Sequence, residues 1–163
     1  METQEIILGE ERDRLDKRLD ELAEQLATAD EVQTLQRAAS SIETQGAAVA
    51  QLCEEFGDDT TVAVRGLNAG EYAKVEDEIA RYREEADGNP TPGARKNVFA
   101  AMGLVDGPFD GFEDAEELSD YLAIVAEQPV GVRDWLYAKV NDLTTVSSQD
   151  FRPLSERIAD SQG

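Results

Sequence analysis

The chain has no histidine and a single cysteine, Cys53, among its 163 residues. Catalytic triads of the Ser-His-Asp and Cys-His kinds are therefore excluded, as are zinc and iron sites with histidine ligands. Neither glycine-rich phosphate loop, G-x-x-x-x-G-K-S/T or G-x-G-x-x-G, occurs in the sequence. Cys53 cannot form an internal disulfide, and we expect it to pack as a small hydrophobic residue. The sequence thus predicts no enzyme activity, no cofactor and no metal.

Basic residues are also scarce: 15 lysines and arginines stand against 36 aspartates and glutamates, for a net charge of −21. The acidic excess is spread along the whole chain. It is typical of proteins from organisms with molar salt in the cytoplasm, where a Debye length of about 3 Å screens the repulsion. No basic patch is available to neutralise phosphates, so nucleic-acid binding is disfavoured. The alternative is that the acidic surface has a specific role. It is either the partner of a basic surface or a mimic of another acidic molecule.

Long apolar runs are missing as well. No stretch approaches the roughly 18 apolar residues that a membrane span requires. The first residues, "METQEIILGEERDR", lack the charged, apolar and small-residue regions of a signal peptide. We therefore expect a soluble, intracellular protein without membrane contact.

What the sequence does contain is a helical seam between Leu8 and Phe56, where apolar residues recur at the spacing of a coiled coil. The register of the seam changes after Ala27, and Thr28 forms a capping box with Glu31. This change indicates a break between two helices or a stutter in one, and the break is favoured. Two or three heptads do not stabilise an isolated helix, so the seam needs a partner: the rest of the chain, a second copy or another protein. The seam residues are Leu15, Leu19, Leu22, Leu26, Leu35, Ile42, Val49 and Phe56.

The segment "TTVAVRGL" follows the seam and alternates in the manner of a half-buried strand, with Val62 and Val64 on one face. A lone strand leaves both of its edges without hydrogen bonds. Either a weak second strand lies in the N-terminal "EIIL", or the strand pairs with a neighbouring molecule. Residues 1–8 are therefore compatible with both a strand and a helix start.

The remaining sequence predicts short helices. "NAGE" is a capping box between Asn68 and Glu71, and "DGNPTPG" is a loop. One helix is expected through Val98 to Val105, a second over Glu113 to Glu127, and a third opening at Pro129. The third helix carries Trp135, and "SSQD" signals a final capped helix.

Four acidic residues in "VDGPFDGFEDAEE" could supply oxygen ligands to calcium. The segment departs from the EF-hand loop, because Pro108 replaces an acidic position and the glycines lie elsewhere. Turn formation and helix capping are the favoured roles of these residues. They are Asp106, Asp110, Glu113 and Asp114.

Together these patterns predict a mainly α fold. It has a long N-terminal helical arm or hairpin with a coiled-coil-like seam, a compact bundle of short helices, and one short strand near residues 60–66. The expected segments are 1–57, the arm; 58–147, the compact domain entered by the strand; and 148–163, a C-terminal capped helix. The residues predicted to contact other proteins are the eight seam residues together with Val62, Val64 and Trp135.

Three stretches, "VAVRGLNAGEYAKVEDEIARYREE", "RKNVFAAMGLVDGPFDGFEDAEELSDYLA" and "VRDWLYAKVNDLT", carry a resemblance over roughly residues 30–147. They resemble the tail assembly chaperones of long-tailed phages and of tailed archaeal viruses. In that family a helical stretch leads into a strand and an RGL-x-x-GE corner, followed by "LVD" with a small turn and a last helix with a large aromatic residue and N-x-L. The matching positions are Arg65, Gly66, Leu67, Gly70, Glu71, Asn97, Phe99, Leu104, Val105, Asp106, Trp135, Leu136, Asn141 and Leu143.

The resemblance implies a non-enzymatic protein that binds the tape measure protein and helps tail tube subunits polymerise around it. With the acidic composition, it suggests a haloarchaeal virus, and a location in the host cytoplasm during assembly or in the virion. The C-terminal "SSQDFRPLSERIADSQG" extends past the family's usual core and suits a lasting structural contact equally well. Two alternatives therefore stay open: a virion component of the neck or tail that oligomerises through its helices, and a host helical adaptor protein.

Overall fold

The computed structural model describes residues 3–28, 32–87, 93–145 and residue 158. The described part is mainly helical and contains a small antiparallel sheet, so the predicted fold class is confirmed. A 3₁₀ turn at Phe112–Asp114 lies between the third strand and the fifth helix. The elements are β1 (Thr3–Ile7), α1 (Leu8–Thr28), α2 (Val32–Phe56), β2 (Thr61–Arg65), α3 (Ala69–Glu85), α4 (Ala94–Gly103), β3 (Leu104–Asp106), α5 (Leu118–Glu127) and α6 (Val130–Thr144).

Helices α1 and α2 form an antiparallel hairpin. The base of the hairpin is closed where the Gly9 N–H donates to the Asp58 carbonyl at 2.9 Å. Arg12 adds two hydrogen bonds to the Asp58 carboxylate, at 3.0 and 3.1 Å. The end of α1 at Thr28 and the start of α2 at Val32 agree with the predicted break. Thr28 itself is the last residue of α1 and its hydroxyl donates to the Gln25 carbonyl at 3.5 Å, so it does not cap α2 as predicted. Its predicted partner Glu31 lies outside the described residues.

The sheet has the order β1-β2-β3, and both pairs are antiparallel. Ile6 pairs with Val62, and Gln4 pairs with Val64. Both valines of β2 are fully buried, as the alternating pattern predicts. The partner of β2 on this side is therefore the strand hidden in the N-terminal residues, and α1 begins immediately after it at Leu8.

The third strand was missed, and the expected helix through Val105 is wrong at its end. Helix α4 stops at Gly103, and Leu104 pairs with Val64 in the sheet. The reason is the second edge of β2, whose N–H and C=O groups need partners that only a non-local strand supplies. The apolar spacing of residues 98–105 carries no information about these unpaired groups of β2.

The helix expected over Glu113 to Glu127 is also wrong in its first third. Helix α5 begins only at Leu118, because the Asp120 carboxylate turns back and accepts the N–H groups of Glu116 and Glu117, each at 3.1 Å. Pro129 precedes the first residue of α6, as its preference for helix starts predicts.

The predicted capping box at the start of α3 is confirmed. The Glu71 N–H donates to Asn68 Oδ1 at 3.0 Å, and the Asn68 N–H donates to Glu71 Oε1 at 3.1 Å. Arg65 at the end of β2 makes two hydrogen bonds to the same Glu71 carboxylate. These hydrogen bonds lower the pKa of Glu71 and fix the corner between strand and helix.

We expect Asn68→Ala to lower the free energy of unfolding by about 1 kcal/mol, because the Glu71 N–H loses its acceptor. Thermal unfolding in molar KCl measures the change. Asn68→Ser keeps a capping oxygen and should stay close to the wild type. Equal losses in both variants would show that the cap itself contributes nothing.

One hydrophobic core joins the base of the hairpin to the sheet and to α3–α6. Leu52 and Cys53 of α2 belong to the same cluster as Val62, Phe99 and Trp135. Cys53 is buried, as predicted, and burial raises the pKa of its thiol. The division into segments 1–57 and 58–147 stays a prediction. Of the predicted C-terminal segment, 148–157 and 159–163 lie outside the described residues.

Candidate protein-interaction surface

The eleven predicted interaction residues fall into two groups by exposure. Six of them are fully buried, with at most 1% of their surface exposed, and contribute to packing within the chain: Leu15, Leu22, Val49, Val62, Val64 and Trp135. The other five are half-buried and can be reached from solvent: Leu19, Leu26, Leu35, Ile42 and Phe56. Their role in binding stays a prediction, and a partner can contact only the second group without opening the fold.

The half-buried seam residues concentrate in the outer part of the hairpin, which we call the distal hairpin (residues 19–28 and 32–42). Leu22 is buried there, although it lies outside the core cluster of the protein. The side chains of Leu19, Leu26 and Leu35 are only partly covered, and Val32 is 40% exposed. The distal hairpin therefore carries apolar surface that the described part of the chain leaves uncovered.

A groove lies along the middle of the hairpin, between α1 and α2, with a volume of about 320 Å³. Its apolar walls come from Leu15, Leu19 and Ile42. Its floor on α2 is made of small residues, which let an entering group approach the helix backbone closely. These residues are Gly46, Ala47 and Ala50.

The rim of the groove is acidic. Asp13, Asp16 and Glu43 line it, and the Asp13 side chain is 76% exposed. Arg12 also borders the groove, where its Nε donates to Asp13 Oδ1 at 3.4 Å and its guanidinium is engaged by Asp58 at the hairpin base. That contact lowers the pKa of Asp58, so this carboxylate stays ionised beside Arg12. Asp16 and Glu43 are the rim charges that have no ion-pair partner among the described residues, and both are negative.

The position of the hairpin is set by a buried ionic cluster around Glu11. Only 4% of this residue is exposed. The Trp135 indole N–H donates to Glu11 Oε2 at 2.6 Å, and Lys139 Nζ lies 2.7 Å from the same oxygen. Arg14 donates from Nε to Glu11 Oε1 at 2.5 Å. The cluster ties the first turn of α1 to α6.

The pKa of Glu11 reflects two opposing effects. Burial raises it, but the hydrogen bonds from Arg14, Lys139 and Trp135, together with the charge of Lys139, bring it below the ordinary value. Glu11 is therefore ionised wherever the protein is folded near neutral pH. Sequence reasoning missed this residue, since Glu11 has acidic and basic neighbours like any exposed helix position and its partner Trp135 is 124 residues away.

The described residues offer little for chemistry. In ranges 3–28, 32–87 and 93–145 no group of three or more cysteine, aspartate or glutamate side chains is placed to hold a metal ion. Of the four acidic residues suggested as calcium ligands, Asp106 ends β3, Asp110 lies in the turn that follows, and Glu113 and Asp114 lie in the 3₁₀ turn before α5. Among the described helices, none has the length and apolar character needed to cross a membrane.

Comparison of the chain with protein-family models, with curated proteins and with solved structures gave no match.

Proposed function

We propose that this chain is a non-enzymatic protein of viral tail morphogenesis that binds other tail proteins, such as the tape measure and tail tube proteins, in a high-salt cytoplasm. The observation that carries the proposal is the distal hairpin, where Leu19, Leu26 and Leu35 form an apolar seam that the described residues leave partly open. Binding of an apolar helix to such a seam requires no catalytic group. The tape measure protein is the first partner to test because of the family resemblance.

Two further features support a binding role. The base of the hairpin is fixed by the core and by the contacts of Glu11 with Trp135 and Lys139, so the direction in which α1 and α2 leave the core is set. The net charge of −21 keeps the surface hydrated and disfavours self-aggregation of a chain that exposes apolar groups. A chaperone that covers a long apolar client and keeps the complex soluble needs both properties.

The test is co-purification with the tape measure protein in molar KCl. We expect the wild type to be retained by the immobilised tape measure protein. Leu26→Asp and Leu35→Asp should reduce retention at least about tenfold, because each places a charge in the apolar contact. Val130→Asp is the matched control, since Val130 is 62% exposed at the start of α6 and lies outside the distal hairpin. Thermal unfolding checks that the variants stay folded.

Two results would overturn the proposal. Absence of retention by both the tape measure and the tail tube protein would exclude a role in tail assembly and favour the host adaptor. Stoichiometric copies in purified virions, measured by mass spectrometry, would exclude a purely transient chaperone. Those copies, together with an oligomer that Leu35→Asp dissociates, would identify a structural component of the neck or tail.

A further inference from the structure

The shape, the small floor residues and the acidic rim of the groove between α1 and α2 restrict the kind of partner that can bind there. We propose that it takes an amphipathic helix of a partner protein whose apolar face is flanked by lysine or arginine. The inference rests on the proposed function in that both concern binding by the hairpin, and it adds the place and the chemistry of the contact. Shape, the nature of the floor and charge each contribute to it.

The shape favours a helix. Two antiparallel helices leave a long groove between them, and the ridge of a third helix packs into such a groove. A helix satisfies its own backbone hydrogen bonds, whereas an extended peptide needs a free sheet edge, and α1 and α2 offer none. Leu19 and Ile42, the half-buried apolar residues of the groove walls, match the apolar stripe of an amphipathic helix.

Gly46 in the floor has no packing reason inside the described part of the chain. A methyl group added there would meet Leu15 Cβ at 3.7 Å, which is an ordinary contact distance. At Gly103 and Gly131, by contrast, an added methyl group would come within 2.3 and 2.9 Å of a neighbouring atom. A glycine in the middle of a helix costs about 1 kcal/mol relative to alanine. Close approach of a partner helix to α2 explains why Gly46 stands there.

The charge at the rim selects a basic partner. Asp16 and Glu43 flank the apolar walls without an ion-pair partner among the described residues, whereas Arg12 contacts both Asp58 and Asp13. Lysine or arginine on either side of a bound apolar stripe would lie next to these carboxylates. A second copy of the hairpin is a poor fit, because α1 and α2 together carry ten acidic and five basic side chains.

The experiment uses two synthetic amphipathic peptides of about three heptads, both with leucine at positions a and d. One has lysine at e and g, and the other has glutamate. Fluorescence anisotropy in molar KCl measures their binding to the full chain. We expect the lysine peptide to bind about threefold more tightly than the glutamate peptide, because molar KCl screens all but the direct contact pairs at the rim. Equal affinities would overturn the assignment of a basic partner.

Gly46→Ala separates groove binding from general attraction to an acidic protein. It should raise the melting temperature by roughly 2–4 °C, because it adds about 1 kcal/mol of helix stability. It should also weaken binding of the lysine peptide roughly tenfold, since the added methyl group overpacks the floor. Gly70→Ala, in the first turn of α3, should leave peptide binding unchanged. Unchanged binding by Gly46→Ala would overturn the groove as the site.

The outcomes also separate this inference from the proposed function. If the tape measure protein is retained equally by the wild type and by Gly46→Ala, the groove is not the site and the function stands. If the lysine peptide depends on Gly46 and no tail protein is retained, the groove stands and the function fails. A dimer in sedimentation that Gly46→Ala dissociates would replace the basic helix by a second copy.

Discussion

Glu11→Ala is expected to lower the free energy of unfolding by about 3–5 kcal/mol, although it removes a single acidic residue from a chain with 36 of them. The carboxylate accepts hydrogen bonds from Trp135, Lys139 and Arg14 in a buried site. Its removal leaves the Lys139 ammonium, whose side chain is only 11% exposed, without its ion-pair partner. The indole N–H of Trp135 also loses its acceptor. Thermal or denaturant unfolding in molar KCl measures the loss.

Glu10→Ala is the matched control, because Glu10 shares the first turn of α1 and is exposed. Both substitutions remove the same favourable interaction with the helix dipole, worth about 0.3–1 kcal/mol. Trp135 is the only tryptophan of the chain, so its fluorescence reports the site directly. A loss for Glu11→Ala no larger than that for Glu10→Ala would show that the buried cluster contributes nothing to stability.

Glu11→Gln adds a pH readout to the same prediction. Because the folded-state pKa of Glu11 is lowered, the ionised carboxylate stabilises the fold at every pH above its unfolded-state pKa. That contribution is lost as the pH falls through the folded-state pKa. The stability difference between the wild type and Glu11→Gln should therefore be constant near neutral pH and shrink on acidification. A difference that grows towards acidic pH would contradict the ionised state of Glu11.

The features that sequence reasoning predicted correctly depend on residues close together in the chain. Asn68 and Glu71 are three positions apart, and the capping box they form needs no other element. Val62 and Val64 alternate within one strand, so their burial follows from the period of two. The predicted change of register after Ala27 likewise falls within one residue of the end of α1 at Thr28. In each case local geometry alone determines the outcome.

The features that were missed depend on contacts between distant segments. Leu104 continues the apolar spacing of α4, and only the free edge of β2 makes it a strand. Glu11 differs from the other acids of α1 because α6 places Trp135 and Lys139 above it. The prediction that the seam residues contact other proteins likewise took no account of contacts between distant segments. Leu15 and Leu22 share the spacing of Leu19, but the first two face the interior.

The junction of α4 and β3 also depends on such a distant contact, at Gly103. A methyl group added to Gly103 would lie 2.3 and 2.6 Å from the two γ-carbons of Val140 and 2.8 Å from the Arg65 carbonyl oxygen. The first two contacts involve a fully buried side chain of α6, and the third involves the backbone of β2. Neither neighbour can move without disturbing the core or the sheet.

Gly103→Ala should therefore destabilise the fold by about 2–3 kcal/mol, the upper part of the range for overpacking a core. The sign is opposite to that expected for Gly46→Ala, although both substitutions replace a helical glycine by the best helix former. The free energy of unfolding of the two variants, measured side by side in molar KCl, tests this contrast. A gain in stability for Gly103→Ala would refute the close packing of α4 against α6 and β2.

Val140→Ala tests whether Val140 is the residue with which an alanine at position 103 collides. Alone it should be destabilising, because it leaves a cavity in the core. Combined with Gly103→Ala it removes the two γ-carbons that the new methyl group would meet, so the double variant should be more stable than the sum of the single losses predicts. Residues in direct contact commonly show coupling of about 0.5–3 kcal/mol. Additive losses would place the conflict at the Arg65 carbonyl oxygen alone, where only a shift of β2 could relieve it.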